Sequence, residues 1–324
     1  MDRIDKHINA LKSGASYISG RLVRKPCIAG MPVSAGVELT NYCNLKCPEC
    51  SSGSDKMTRA RGFMDPELYK QFISEAGPYL YNINLFFQGE PMLHPRFFEF
   101  TAKPGKTKLT VSTNGHFLSQ ENSLRLARSG VSKLIVSLDG MNNETYLRYR
   151  AGGSMEKVMA GIEHVSREMQ KEKSTMKLEI QFLVNRYNES QIPQVKKFAR
   201  AMNASLKLKS MQLLNQENAE LWLPTSDRFR RYRKDKDGSF WLKNPLKNNC
   251  LRLWMNPVIT WDGKVVPCCF DKDADHIMGD LSNMSFREIW HGEKFREFRR
   301  SVLENRGKIE ICRNCTSGLK GVYF

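Results

Sequence analysis

Between residues 37 and 214, short apolar runs alternate with segments of helical period. This alternation narrows the folds open to the 324-residue chain more than any other feature. The strand-like runs fall at 37–40, 83–87, 108–112, 133–137, 178–184 and 206–211, and helical patterns lie between them at 66–76, 121–129, 155–171 and 192–202. Asp65 before Pro66, and Ser119 before Glu121, are helix-start signals, because a short polar side chain can cap the first free N–H groups. A strand that returns parallel to its predecessor needs a crossover, so strand–helix repeats build parallel sheets. Six such strands predict an α/β fold, a partial (β/α)6 TIM-like barrel over 36–214, with its chemistry in the loops at the C-terminal ends of the strands.

The flanking regions break the rhythm. Residues 1–35 read as a short amphipathic helix and a linker, with Ile4, Ile8 and Leu11 at helical spacing. That stripe is expected to pack against the main domain; a membrane surface is the alternative. Residues 215–249 are polar and basic and read as a bridging segment. From 250 to 324 a small α+β domain is expected. Its runs 257–261 and 264–268 flank the hairpin turn Asp262–Gly263, and a helix over 285–303 has a possible interruption at Gly292.

The loop after the first strand carries Cys43, Cys47 and Cys50 within eight residues. A structural zinc site closes its tetrahedron with four ligands, and no fourth cysteine is near: the neighbours in sequence are Cys27 and Cys250. Three thiolates suit a cubane iron–sulfur cluster with one iron left open, since soft anionic sulfur favours such clusters. An open iron can chelate a small molecule through oxygen and nitrogen.

Cys-x3-Cys-x2-Cys at this position resembles the signature of the radical S-adenosylmethionine (SAM) superfamily. The supporting segments follow in order on successive strand ends. Gln88-Gly89-Glu90-Pro91 resembles the family's GGEP motif, and Ser112-Thr113-Asn114-Gly115 its ribose-contacting segment. Ser137-Leu138-Asp139-Gly140, with Arg150, corresponds to positions that hold the SAM carboxylate, and Asn185 and Asn188 to positions near adenosine. The sequence departs from the family pattern at Gln88, where a glycine is usual, and at Glu49, where many relatives carry an aromatic residue. The resemblance covers about 36–211. It implies that a 4Fe–4S cluster on Cys43, Cys47 and Cys50 cleaves SAM reductively to a 5′-deoxyadenosyl radical, which takes a hydrogen atom from the substrate. It also implies SAM contacts from Gly89, Glu90, Pro91, Ser112, Asn114, Ser137, Arg150 and Asn185.

A second set comprises Cys250, Cys268, Cys269 and Cys312-Arg-Asn-Cys315. Four of these five thiols can complete one metal site. Cys250, Cys268, Cys312 and Cys315 are the expected ligands, with Cys269 as the alternative, because adjacent residues do not easily reach one cluster. A four-cysteine zinc site is the bland reading. The spacing resembles the SPASM/twitch extensions of radical SAM enzymes and implies one auxiliary 4Fe–4S cluster. An auxiliary cluster implies oxidative chemistry, with the cluster accepting an electron from the substrate radical.

Composition limits the partners. The chain has nine cysteines in uneven clusters, which in a cytosolic protein point to metal ligands before disulfides. No run of about 18 apolar residues suggests a transmembrane span, and the N-terminus lacks the apolar core of a signal peptide, so a cytoplasmic protein is expected. The net charge is +17. Without a nucleic-acid motif it reads as a solvated basic surface, and no nucleic-acid partner is expected. His94, just past Glu90–Pro91, is a weak candidate base. The expected activity is a radical SAM oxidoreductase, dehydrogenase-like, acting on a small polar or sugar-like substrate and reduced by an electron donor such as flavodoxin or ferredoxin. The alternatives are a radical SAM peptide or protein maturase, and a non-catalytic iron–sulfur or zinc protein of electron transfer or nucleic-acid binding.

Overall fold

The computed structural model describes residues 3–243 and 246–315; the tail of the expected C-terminal domain, 316–324, lies outside them. Tertiary contacts divide the chain into two compact units. One comprises the described residues up to Asn41, Thr58–Leu109 and the described residues from Leu246; the other comprises Tyr42–Met57 and the described residues from Thr110 to Lys243.

In the first unit, α1 (Arg3–Val23) precedes β1 (Ser34–Val37), α2 (Pro66–Ala76) and β2 (Asn82–Asn84). β1 pairs in parallel with β2. The Asp65 side chain caps α2 by accepting the Glu67 N–H, with Pro66 in the first turn. β1 ends at Val37, three residues before the expected strand end, because the chain then takes other partners: Glu38 N–H donates to Ile259 O, and Thr40 forms an isolated bridge with Phe63. Strand β3 (Lys108–Thr113) begins in this unit and continues into the other.

The second unit continues with α3 (Gln120–Arg128), β4 (Val131–Ser137), α4 (Asn143–Tyr149), α5 (Met155–Lys171), β5 (Lys177–Val184), α6 (Ile192–Ala201) and β6 (Ser205–Ser210). β4, β5 and β6 run parallel and in register. In β4 and β5 the apolar residues at alternate positions, such as Leu134, Val136, Ile180 and Phe182, are fully buried on one face of the sheet. A two-stranded antiparallel ribbon, β7 (Tyr232–Lys234) and β8 (Phe240–Leu242), completes this unit.

The chain returns to the first unit with β9 (Val258–Ile259), β10 (Lys264–Val266) and β11 (Gly279–Asp280). β9 adds to β1 in parallel, and the hairpin partner β10 pairs antiparallel with it. The turn contains the expected Asp262–Gly263 but is a three-residue loop, 261–263, and not the expected two-residue one, because Thr260 N–H donates to Lys264 O at 2.9 Å. Gly263 has a φ of 82°, a left-handed conformation that favours glycine. Helices Phe286–His291 and Glu293–Asn305 follow, broken at Gly292, whose extended ψ of 163° ends one and starts the other.

The face that α1 buries differs from expectation. Asn9, Ser13 and Ser16 are buried, whereas Ile8 is 43% and Leu11 73% exposed. The side chain of Ile4 lies outside the described set. Polar contacts made elsewhere in this unit choose the inward face.

Candidate active site

The loop bearing Cys43, Cys47 and Cys50 is shaped by hydrogen bonds to its own sulfurs and carbonyls. Leu45 N–H donates to Cys43 Sγ at 3.5 Å, and Cys50 N–H to Cys47 O at 3.3 Å. Gly53 packs so closely that a Cβ there would lie 2.6 Å from Cys47 N, closer than real contacts allow. Cys47 is buried, while Cys43 and Cys50 are half-buried. All three rest on an apolar cluster that includes Leu45, Tyr149, Met211, Trp222, Tyr232 and Phe240. Trp222, Tyr232 and Phe240 come from the segment whose composition suggested only a bridge. Burial pushes the Cys47 thiol up, and the nearby Arg150 guanidinium opposes this.

Around these thiols the second unit gathers most of the expected residues. Asn114 Nδ2 donates to Asn44 Oδ1 at 2.7 Å and lies 4.0 Å from Cys43 Sγ. Arg150 Nε donates to Asp139 Oδ2 at 2.6 Å, and its Nη1 lies 3.9 Å from Cys47 Sγ. Asp139 is buried, and its other oxygen accepts the Leu183 N–H at 2.7 Å. The Arg150 head is thus held between a carboxylate and a thiol. Lys46 N–H donates to Ala151 O at 2.8 Å, which ties the cysteine loop to the Arg150 segment.

Asn188 is wholly buried and bonds inward to Asp139 O and Leu183 O, each at 2.9 Å, as a structural staple. Asn185 differs. Its Oδ1 accepts the Tyr187 N–H, but its buried Nδ2 has no hydrogen-bond partner among the described residues. A buried amide donor without an acceptor is costly, so this atom suits a ligand that brings one. Ser112 and Ser137 are half-buried at the ends of β3 and β4. Residue-type reasoning missed His116. Its Nδ1 lies 3.1 Å from Asn114 Oδ1, and its Nε2 accepts the Ser154 N–H at 2.7 Å. That pattern needs the neutral imidazole, which burial favours by pulling its pKa down. His116 therefore fixes the orientation of the Asn114 amide.

In the first unit, Gly89 adopts φ 71°, and Glu90 caps the short helix Pro91–Leu93 by accepting the Met92 N–H at 3.1 Å. Glu38, which sequence reasoning passed over, is fully buried. Its carboxylate is gripped by both terminal nitrogens of Arg59 and accepts N–H bonds from Gln88 and Trp261, so it anchors the turn that contains Gly89. His94 is buried. Its Nε2 lies 2.8 Å from Met64 O, and its Nδ1 accepts the Arg96 N–H at 3.0 Å. Both ring nitrogens are thereby occupied by backbone, with the Phe63 and Phe100 rings edge-on to the imidazole. The geometry makes His94 a strut of the loop and leaves no nitrogen to take a substrate proton.

The C-terminal cysteines, also in the first unit, form a separate site. Cys250, Cys268, Cys312 and Cys315 line one pocket together with Leu253, Phe298 and Arg306. Cys269 does not line it; Arg252 Nη1 donates to its Sγ at 3.3 Å. Arg306 is buried, and its Nη2 donates to Cys315 Sγ at 3.3 Å. Burial pushes the Cys312 thiol up to about 11 and Cys268 well above its ordinary value. A metal bound there displaces these protons, because the thiolate is the ligand. A zinc ion with bonds of about 2.3 Å would draw the sulfurs into a tight tetrahedron. Four thiols lining one pocket supply a complete set of soft donors for one metal centre.

Comparison with known proteins agrees with these two sites. Residues 37–198 match the model of the radical SAM superfamily, and 250–316 match SPASM, an iron–sulfur cluster-binding domain. The chain belongs to the radical SAM superfamily. This radical SAM enzyme uses SAM and iron–sulfur clusters, and a cubane on Cys43, Cys47 and Cys50 fits the donor set and apolar floor described above. The enzyme is 27% identical to an AdoMet-dependent heme synthase of Methanosarcina barkeri, over 85% of this chain and 86% of that one. It is 23% identical to an S-adenosyl-L-methionine-dependent 2-deoxy-scyllo-inosamine dehydrogenase of Niallia circulans, over 87% and 91%. Among solved structures, Streptococcus suis SuiB bound to precursor peptide SuiA aligns over 95% of this chain and 74% of that one, with a TM-score of 0.64 at 12% identity. At that identity the likeness carries the fold alone: a mixed α/β architecture with a large parallel sheet, the partial TIM barrel of the superfamily. No helix among the described residues is long and apolar enough to cross a membrane.

Proposed function

We propose that this radical SAM enzyme is a dehydrogenase that oxidises a C–H bond of a small polar, sugar-like substrate. The observation that carries the reading is the pairing of donor sets: three thiols at one site, and four at another. Bound there, the cofactors supply a carbon-centred radical source at the three-thiol site and a one-electron acceptor at the four-thiol site. Removal of one hydrogen atom, one electron and one proton amounts to oxidation of a secondary alcohol to a ketone. Four protein ligands leave no iron vacant for substrate, which favours a relay role for the second site.

On this reading the chain's own residues bind and orient. The Asn185 Nδ2 donor and the Asn114 amide, held by His116, would position SAM. Arg150, held by Asp139, would keep positive charge beside Cys47. Gly89, Glu90 and Pro91 would present backbone to the SAM amino group, and Ser112 and Ser137 would add hydroxyl contacts. The apolar floor under the thiols would exclude water, which protects a reactive intermediate. The division into 1–35, the SAM core 36–214, the bridge 215–249 and the auxiliary-cluster domain 250–324 belongs to the same proposal. So do a cytoplasmic location, where thiols stay reduced, and a flavodoxin or ferredoxin as reductant.

The test is anaerobic reconstitution with dithionite and SAM. Release of 5′-deoxyadenosine is expected, and with an aminocyclitol probe a product lighter by two hydrogens. No 5′-deoxyadenosine from protein carrying both clusters would end the proposal. Release of 5′-deoxyadenosine with oxidation of a peptide, and none of the aminocyclitol, would move the assignment to a maturase.

A further inference from the structure

Helix α1 presents its apolar residues to solvent and packs through its polar side. Ile8, Leu11, Ile18 and Leu22 are 43%, 73%, 53% and 71% exposed. With Ala15, also exposed, they follow the spacing i, i+3, i+7, i+10, i+14 and form one continuous stripe along the 21-residue helix. Amphipathic helices of globular proteins ordinarily turn that stripe inward.

The helix cannot simply roll over. The Asn9 amide makes a reciprocal pair with the Met31 backbone, donating to its carbonyl at 3.0 Å and accepting its N–H at 2.8 Å. Ser13 Oγ donates to the same carbonyl at 2.8 Å, and Ser16 Oγ accepts the Ala29 N–H at 2.8 Å. At Gly20 the helix approaches so closely that a Cβ would lie 2.9 Å from Lys25 O and 3.3 Å from the Trp254 ring. Rotation would break these bonds and bury polar groups without partners. The outward stripe is therefore fixed by the fold.

Charge identifies what covers it. Over residues 3–25 there are six basic side chains and one acidic, Asp5. Lys12, Arg21, Arg24 and Lys25 are all exposed, Arg21 in the last turn of the helix and Arg24 and Lys25 just past its end. The whole chain carries +17. A second copy of this chain would bring the same excess of positive charge to the seam, whereas an anionic surface would neutralise it. We propose that α1 is an interfacial helix that lays its aliphatic stripe on an anionic lipid bilayer, with the basic side chains among the headgroups. The helix lies on the membrane and does not span it, in keeping with its low apolar content.

The reconstituted full chain is incubated with vesicles of phosphatidylcholine, with and without about 30% phosphatidylglycerol, and sedimented. Binding to the anionic vesicles is expected to exceed binding to the neutral ones about tenfold or more, and to fall as salt screens the charges. Leu11→Ser with Leu22→Ser should lower binding to anionic vesicles about tenfold. Arg21→Gln, Arg24→Gln and Lys25→Gln together should do the same. Both variants should release 5′-deoxyadenosine at the parent rate, because neither set touches the thiol sites; this reads out folding independently. Unchanged vesicle binding in the leucine variant would overturn the proposal. So would a dimer, seen by light scattering, that the leucine variant converts to monomer, since the stripe would then be a seam between copies.

Discussion

The two cysteine sites use the same donor atom in opposite surroundings. At the first, three thiols sit on a loop after a barrel strand, over an apolar floor, with amide groups and the Arg150–Asp139 pair at the edge. One of those amides, Asn185 Nδ2, has no partner among the described residues. At the second, four thiols from three separate stretches of chain line one pocket, and the Arg306 guanidinium donates to Cys315 Sγ at 3.3 Å. The first arrangement leaves coordination and hydrogen bonding open for a ligand. The second supplies a full set of four sulfurs and adds positive charge. An open site can do chemistry on what it binds, whereas a closed one can only exchange electrons.

The sharpest way to break this contrast is to remove one sulfur from each site. Cys47→Ala should abolish 5′-deoxyadenosine release and lower iron from about eight to about four per chain. Cys312→Ala should also lower the iron, yet leave 5′-deoxyadenosine release intact while stopping product formation. Product at the normal rate from the Cys312 variant would remove the electron-acceptor role of the second site.

A smaller effect, on stability, tests the edge of the first site. Asp139 is 1% exposed and pairs with Arg150, whose side chain is 16% exposed. Asp139→Ala leaves that guanidinium beside Cys47 without its carboxylate. Breaking such a buried pair costs about 3–5 kcal/mol, measurable by guanidinium chloride unfolding under anaerobic conditions. A loss below about 1 kcal/mol would mean that the pair behaves like a surface ion pair.

The smallest effect sharpens the second site. Donors and positive charge at a cluster's sulfurs stabilise its reduced form and raise its potential. Arg306→Gln should therefore lower the midpoint potential of the auxiliary cluster in an EPR-monitored titration, with iron content unchanged. Cys269→Ala should leave iron content unchanged as well, because that sulfur faces Arg252 and not the pocket.

Much of this was readable along the chain. The spacing of Cys43, Cys47 and Cys50 is local, and helix starts such as Asp65–Pro66 and Ser119 depend on side chains one turn away at most, so linear pattern suffices. The Asp262–Gly263 turn and the break at Gly292 are local for the same reason. The floor beneath the first site was not readable. Trp222, Tyr232 and Phe240 sit in a basic stretch whose composition gives no hint of a core, and they become buried only through contacts with residues far away in sequence. His94 shows the reverse: its position beside the Glu90 loop suggested a base, and backbone groups of Met64 and Arg96 claim both its nitrogens.

By itself, then, the sequence determined what repeats or lies close at hand: the alternation of strands and helices in the core, the cysteine loop and the family. Tertiary structure alone decided which of Cys268 and Cys269 turns to the pocket, which amide stays without a partner, and which face of α1 looks outward. Those choices depend on hydrogen-bond partners and close contacts supplied by other parts of the chain. The Asn9–Met31 pair spans 22 residues, and nothing in the helix's own periodicity announces it.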